Sequence, residues 1–145
     1  TDDMFIAEKG KGAWHNETRL RVSGRREIGT ALVATGIPNM GIAPAKRQEF
    51  SDELSLVMAE VAGVRRFGAA ALDLAWVAAG RYDAFWERGL SPWDVAAGIV
   101  IVREAGGLVS DLASEQDMLT SGSILASNGH LHGAFLKLFK GRGRG

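Results

Sequence analysis

Two stretches of this chain are too apolar to lie on a surface, and they restrict the fold more than any other feature. Residues 69–79 carry a single charge, Asp73. Residues 92–105 carry Asp94 near the start and Arg103 and Glu104 near the end, with mostly apolar side chains between. Neither alternates with a period of two, and both are longer than a usual buried strand, so both read as helices. A helix apolar round most of its girth belongs inside a molecule. Gly80 and Gly106-Gly107 stand where left-handed C-terminal caps are needed. Short apolar runs at 82–87, 108–110 and 124–127 read as strands. A last helix at 131–139 follows, with Asn128 as its cap. Helices alternating with strands, two of them buried, predict an α/β fold: a three-layer α/β/α sandwich with a mixed sheet.

The first forty residues read as a strand-rich meander. Residues 4–8 form a strand, Gly10-Lys11-Gly12 a turn, 13–15 the return strand, and Asn16-Glu17 a second turn. Leu20 and Val22 alternate with Arg19, Arg21 and Ser23, which predicts a half-buried strand. Residues 31–34 predict a buried strand, 38–44 a loop and 49–61 an amphipathic helix. There is no repeat and no linker, so residues 1–145 read as a single domain. The first apolar run begins at Met4 with almost no lead-in, which reads as the start of a fragment, and residues 141–145 read as a frayed end.

Charge and composition exclude several classes. Lys+Arg and Asp+Glu number 17 each, so no net field draws the chain to nucleic acid. Arg19, Arg21, Arg25 and Arg26 fall close together and read as a solvated hairpin edge. No apolar run is long enough to span a bilayer. Cysteine is absent, which excludes disulfides and a thiol nucleophile and is compatible with a reducing cytoplasm. His130 and His132 could share a strand face but have no third ligand nearby for zinc, and His15 stands alone. No phosphate-binding glycine loop and no nucleophile elbow occurs.

The acids at the helix and strand ends carry the chemistry. Ser91 is an N-cap residue, Pro92 suits the first helical position and Asp94 falls at the third. Asp94 is therefore a helix cap by spacing, and a metal-ligand carboxylate if other acids join it. Glu87 ends the 82–87 strand a few residues before Asp94, so two carboxylates could converge at one sheet edge, where ligand sites of open α/β sheets lie. The plainer role for Glu87 is a surface pair with Arg88 or Arg81. Gly68 and Ala70, at the start of the first buried helix, leave room for a ligand or for close helix packing. Asp73 reads as a satisfied buried acid, and Glu104 as a structural hydrogen-bond acceptor.

Taken together, Gly68-Ala69-Ala70-Ala71-Leu72-Asp73, Asp83 to Glu87, Trp93-Asp94-Val95-Ala96-Ala97-Gly98 and Glu104-Ala105-Gly106-Gly107 resemble the C-terminal signature of the inositol monophosphatase family. Leu90-Ser91-Pro92-Trp93-Asp94 resembles the bacterial branch. The likeness reaches back to Asp3-Met4-Phe5 and covers nearly the whole chain. It implies a C-terminal, substrate-side domain whose N-terminal metal-binding domain is not in this chain. It implies hydrolysis of a phosphate monoester with Mg2+, by a metal-activated water. Asp94 would be a metal ligand, and Glu87, Ala70 and Gly68 would contact substrate hydroxyls. The family's paired upstream acids and its Asp-Pro-Ile-Asp-Gly-Thr motif are absent here, so this chain alone should turn over little or nothing. The resemblance further implies a small phosphorylated polyol as substrate (inositol monophosphate or a similar sugar phosphate), a cytoplasmic homodimer in full length, and no membrane or nucleic-acid partner. Two other readings stay open. One is a related phosphatase acting on fructose 1,6-bisphosphate, histidinol phosphate or a phosphoadenosine nucleotide. The other is a non-catalytic protein-binding module linked to transcription.

Overall fold

A computed structural model of the chain describes residues 4–36, 43–66, 69–113 and 116–141. The expected turn at Gly10 returns β1 (Phe5–Glu8) onto β2 (Gly12–His15), antiparallel, with Ile6 opposite Trp14. A second turn, at Asn16, leads into β3 (Thr18–Arg19), which closes a three-stranded sheet. The strand expected over residues 19–23 is shorter than its alternation suggests. Leu20 is buried as the pattern requires, but the Val22 N–H bonds to the Ala105 carbonyl at 3.0 Å rather than to a neighbouring strand.

The main sheet has five strands in the order β5-β4-β6-β8-β7. These are β4 (Leu32–Thr35), β5 (Gly63–Arg65), β6 (Ala84–Glu87), β7 (Leu108–Ser110) and β8 (Ile124–Ser127). β5 and β6 run parallel to β4, while β8 is antiparallel to β6 and to β7, which makes the sheet mixed. Among the described residues, five α-helices accompany the sheet: α1 (Pro44–Met58), α2 (Ala70–Ala78), α3 (Pro92–Glu104), α4 (Met118–Ser121) and α5 (His132–Gly141). α1 begins earlier than its amphipathic pattern predicts, because Pro44 supplies a ready first turn. Beyond its end, at 59–61, the chain folds back towards the sheet edge. β5 and α4 are too short to show a period in the sequence, and neither was expected.

Period-two alternation along the strands divides the core into two layers. Ala34, Phe85, Val109, Ile124 and Ala126 face α2 and α3. Val33, Ala84, Trp86 and Leu125 face the other way, against Val57 of α1 and Phe135 and Phe139 of α5. This is the expected three-layer α/β/α sandwich. A fourth layer explains the apolar girth of the middle helices. Phe5, Ala7, Ala13 and Leu20, from the small sheet, join the same core as α2 and α3. The pair is therefore sandwiched between two sheets. The helices also approach each other closely at Gly98, where a Cβ would lie 2.8 Å from Leu74 Cβ. Gly80 at the end of α2 holds φ +77°, the left-handed cap that its position predicted.

Two clamps lock the layers. Asp83 accepts hydrogen bonds from Ser23 Oγ (2.5 Å), Arg25 Nε (3.0 Å) and the Leu32 N–H (2.7 Å), tying the segment after β3 to the sheet. His132 sits buried between Ser110 Oγ of β7 (2.9 Å from Nε2) and Ser127 Oγ of β8 (2.7 Å from Nδ1), and burial lowers its pKa to about 4. His130 is exposed, and the two histidines stand at the start of α5 rather than on one strand face.

Candidate active site

In a parallel arrangement, strands that enter helices deliver their carboxyl ends and the following helix N-termini to one edge. β4 and β6 end at that edge with Thr35 and Glu87, and α3 begins there after a loop at residues 88–91. α2 returns to β6 and so also has its N-terminus, at Ala70, on this side. The sequence places Glu87 and Asp94 at such an edge, and the structure brings both there.

Glu87 is largely buried, with its carboxylate over Gly36, the residue that follows β4; a Cβ built at Gly36 would overlap that carboxylate. Burial, then the negative fields of Asp73 and Asp94, raises the Glu87 pKa from an ordinary 4.5 to about 7. The surface pairing considered for Glu87 goes elsewhere. Arg88 turns to Glu53 and Glu49 of α1, and the Arg81 guanidinium lies 4.1 Å from the Trp76 ring centroid. Gly36 is the site residue that sequence reasoning missed. Its signal was a glycine directly after an apolar strand, which served only to mark the strand's end.

Asp94 is exposed at the third position of α3. The Ser91 N–H donates to Asp94 Oδ2 at 3.3 Å, and the Asp94 N–H donates to the Ser91 carbonyl at 3.0 Å. Asp94 is thus a cap, as its spacing says. The cap occupies one of the several acceptor sites of a carboxylate and leaves capacity for a second role. Trp93 beside it is 81% exposed. Ala70 is half-buried at the first position of α2, and Gly68 lies outside the described residues.

Two further acids behave differently from each other. Glu104 accepts the Gly12 N–H at 2.9 Å, the structural role expected for it, and the backbone N–H groups of Gly10 and Gly12 hold its pKa below the usual range. Asp73 departs from expectation. It is fully buried, neither oxygen has a hydrogen-bond partner, and burial raises its pKa to about 6. Its negative field reaches Tyr82 and Glu87, so it lies within electrostatic range of the site.

Among the described residues, no three His, Asp or Glu side chains come together as a metal-holding group. Magnesium takes six oxygens in octahedral geometry. Among the described residues Asp94 and Glu87 offer two carboxylates at the sheet edge, fewer oxygens than that geometry takes. Nor is any helix among the described residues long and apolar enough to cross a membrane.

The inositol monophosphatase family model matches residues 1–143. An inositol-1-monophosphatase of Mesorhizobium japonicum is 51% identical over 139 residues, covering 96% of this chain and 52% of that protein. The Nus factor SuhB of Pseudomonas aeruginosa is 49% identical over 126 residues, covering 87% of this chain and 46% of that protein. In three dimensions, the extragenic suppressor protein suhB from Bartonella henselae matches with a TM-score of 0.90 at 47% identity, over 96% of this chain and 53% of that one. The chain therefore spans about half the length of the relatives it matches. A family match over nearly every residue, and a shared fold at high identity, lead to one conclusion: this chain belongs to the inositol monophosphatase family.

Proposed function

We propose that the protein to which this chain belongs hydrolyses the phosphate monoester of inositol monophosphate or a similar sugar phosphate. The observation that carries this reading is the convergence of Glu87 and Asp94 at the carboxyl edge of the sheet, inside the family's signature segments. In this reading the chain is the C-terminal, substrate-side domain. Glu87, seated over Gly36, accepts hydrogen bonds from substrate hydroxyls, and by correspondence with the family motif Ala70 and Gly68 contact them too. Asp94 supplies one carboxylate to Mg2+, whose remaining protein ligands come from outside this chain. The relative from Mesorhizobium japonicum is named for inositol 1-monophosphate, which favours that substrate over the bisphosphate, histidinol and nucleotide alternatives. A cytoplasmic homodimer is the assembly that fits this reading.

The test is phosphate release from inositol 1-phosphate by the whole protein, with and without magnesium. Turnover should require the metal, and Asp94→Asn should lower kcat by about a hundred-fold or more, the scale of a lost electrostatic contact at the reacting group. Unchanged activity in that variant overturns the ligand assignment. The chain of residues 1–145 alone should show no turnover.

One relative favours a second reading. The Pseudomonas aeruginosa protein is named as a Nus factor, so a binding role in transcription is compatible with the same fold. Retention of a transcription-protein complex by Asp94→Asn protein would support a binding face separate from the site.

A further inference from the structure

Glu87, the last residue of β6, lies between two residues that point away from it, Trp86 in the strand and Arg88 just beyond it. Trp86 belongs to the core layer of α1 and α5. Arg88 emerges on the same side as Trp86 and reaches α1. Its Nε donates to Glu53 Oε2 at 2.9 Å, its Nη2 lies 2.8 Å from the same oxygen, and Nε lies 3.7 Å from Glu49 Oε1. Glu49 and Glu53 stand one turn apart on α1, so both acids address one guanidinium. The Glu53 side chain is only 1% exposed. A planar guanidinium held by a buried carboxylate is a rigid attachment, with little freedom to slide or rotate.

The attachment falls at a telling position. Arg88 begins the loop that joins Glu87 to Asp94. Two residues on, the Leu90 N–H bonds to the Gly122 carbonyl at 2.9 Å, and Ser91 then closes its bond to Asp94. The connection between the two site carboxylates is therefore pinned at Arg88, at Leu90 and at Ser91. Arg88 is the only one of these anchors that works through a side chain on the far face of the sheet. Its charge is directed at α1, so its influence on the site is mechanical.

We propose that Arg88 is a positioning residue for the site: held by Glu53 and Glu49 on the opposite face, it fixes the carboxyl end of β6 and with it the placing of Glu87 over Gly36 and against Asp94. The inference rests on the phosphatase reading for its effect on turnover, but not for its effect on the loop.

The experiment uses the whole protein and two variants. Arg88→Lys keeps the charge and loses the fork. Arg88→Met alone would strand the buried Glu53 carboxylate, so it is paired with Glu53→Leu; removing both partners of such a half-buried pair leaves no buried charge uncompensated and is often neutral for folding. In the double variant kcat/KM for inositol 1-phosphate should fall about ten-fold or more while Tm moves by no more than about 3 °C. In a Glu87→Gln background the same double change should cost less than about two-fold, because the group being positioned is gone. Arg88→Lys should lie between. Full activity in the double variant, or an equal loss in both backgrounds, overturns the proposal. A second readout does not depend on turnover. Amide hydrogen exchange at residues 87–91 should speed up in both variants, and unchanged exchange also overturns the proposal. If the parent protein fails to hydrolyse the substrate, the phosphatase reading falls, and the exchange measurement still decides whether Arg88 holds the loop.

Discussion

Asp73 has two buried oxygens without a partner and a pKa lifted from 3.8 to about 6. Between those values the folded chain binds more protons than the unfolded chain, so stability falls as pH rises through that window. Above it, a shift of this size corresponds to about 3 kcal/mol against the ionised form. Asp73→Asn should therefore raise the unfolding free energy at pH 8 by about 1–2 kcal/mol and change it little near pH 3.5, since the amide still lacks a donor. Denaturant titrations at the two pH values check this, and an equal effect at both would refute it. Gly36 tests the opposite property, function without stability. Its φ lies outside the left-handed region, so Gly36→Ala leaves the strand end unstrained, yet the new Cβ displaces the Glu87 carboxylate. Stability should change by less than about 0.5 kcal/mol, while kcat/KM of the whole protein falls about ten-fold. Which of these features was legible depended on range. The Asp94 cap is formed within four residues and could be read directly. The approach of Gly36 to Glu87 joins neighbouring strands whose pairing no local pattern reveals, and whether a donor reaches Asp73 depends on tertiary packing that spacing does not show.

At the scale of elements, the two apolar segments proved decisive because their composition has one physical outlet. Apolar surface on every side of a helix needs cover on every side, and here a sheet lies above and below α2 and α3. The sequence supported burial but did not say that two sheets would supply it. Elements with a few residues, β5 and α4, carry too little pattern to be read. The strand expected at residues 19–23 stops early: the ladder to β2 ends with the Leu20 N–H on the Ala13 carbonyl, and the Val22 N–H turns to Ala105 at the end of α3. α2 and α3 come close at Gly98, where an added Cβ would lie 2.8 Å from Leu74 Cβ and 3.1 Å from its Cγ. Gly98→Ala should lower stability by about 1–3 kcal/mol through overpacking, measurable as a lower denaturation midpoint with unchanged slope. Gly98→Ala in a Leu74→Ala background should recover part of the loss.

The whole chain has a folded core, and in the proposed reading it carries only part of a reaction centre. The family's paired upstream acids and its Asp-Pro-Ile-Asp-Gly-Thr motif do not occur in this sequence, and in the proposed reading they supply the remaining metal ligands. Metal should then have little grip on residues 1–145 in isolation. Adding 5–10 mM magnesium, roughly a cellular excess, should shift Tm by less than about 1 °C, because a ligand stabilises only in proportion to its occupancy of the native state. A clear rise in Tm would mean that this half holds the ion by itself.

The central strand has a consequence for how the molecule comes into being. β6 pairs with β4 through Val33 and Ala84 and with β8 through Ala84 and Ser127, so each of its borders joins segments far apart along the chain. Closing such loops loses chain entropy before contacts return it, and topologies of this kind fold slowly. Helix pairs such as α2 and α3 can collapse early, with their apolar sides waiting for cover. The pairing of β6 with β4 is also what seats Glu87 beside Gly36, so the site forms together with long-range sheet contacts and not ahead of them.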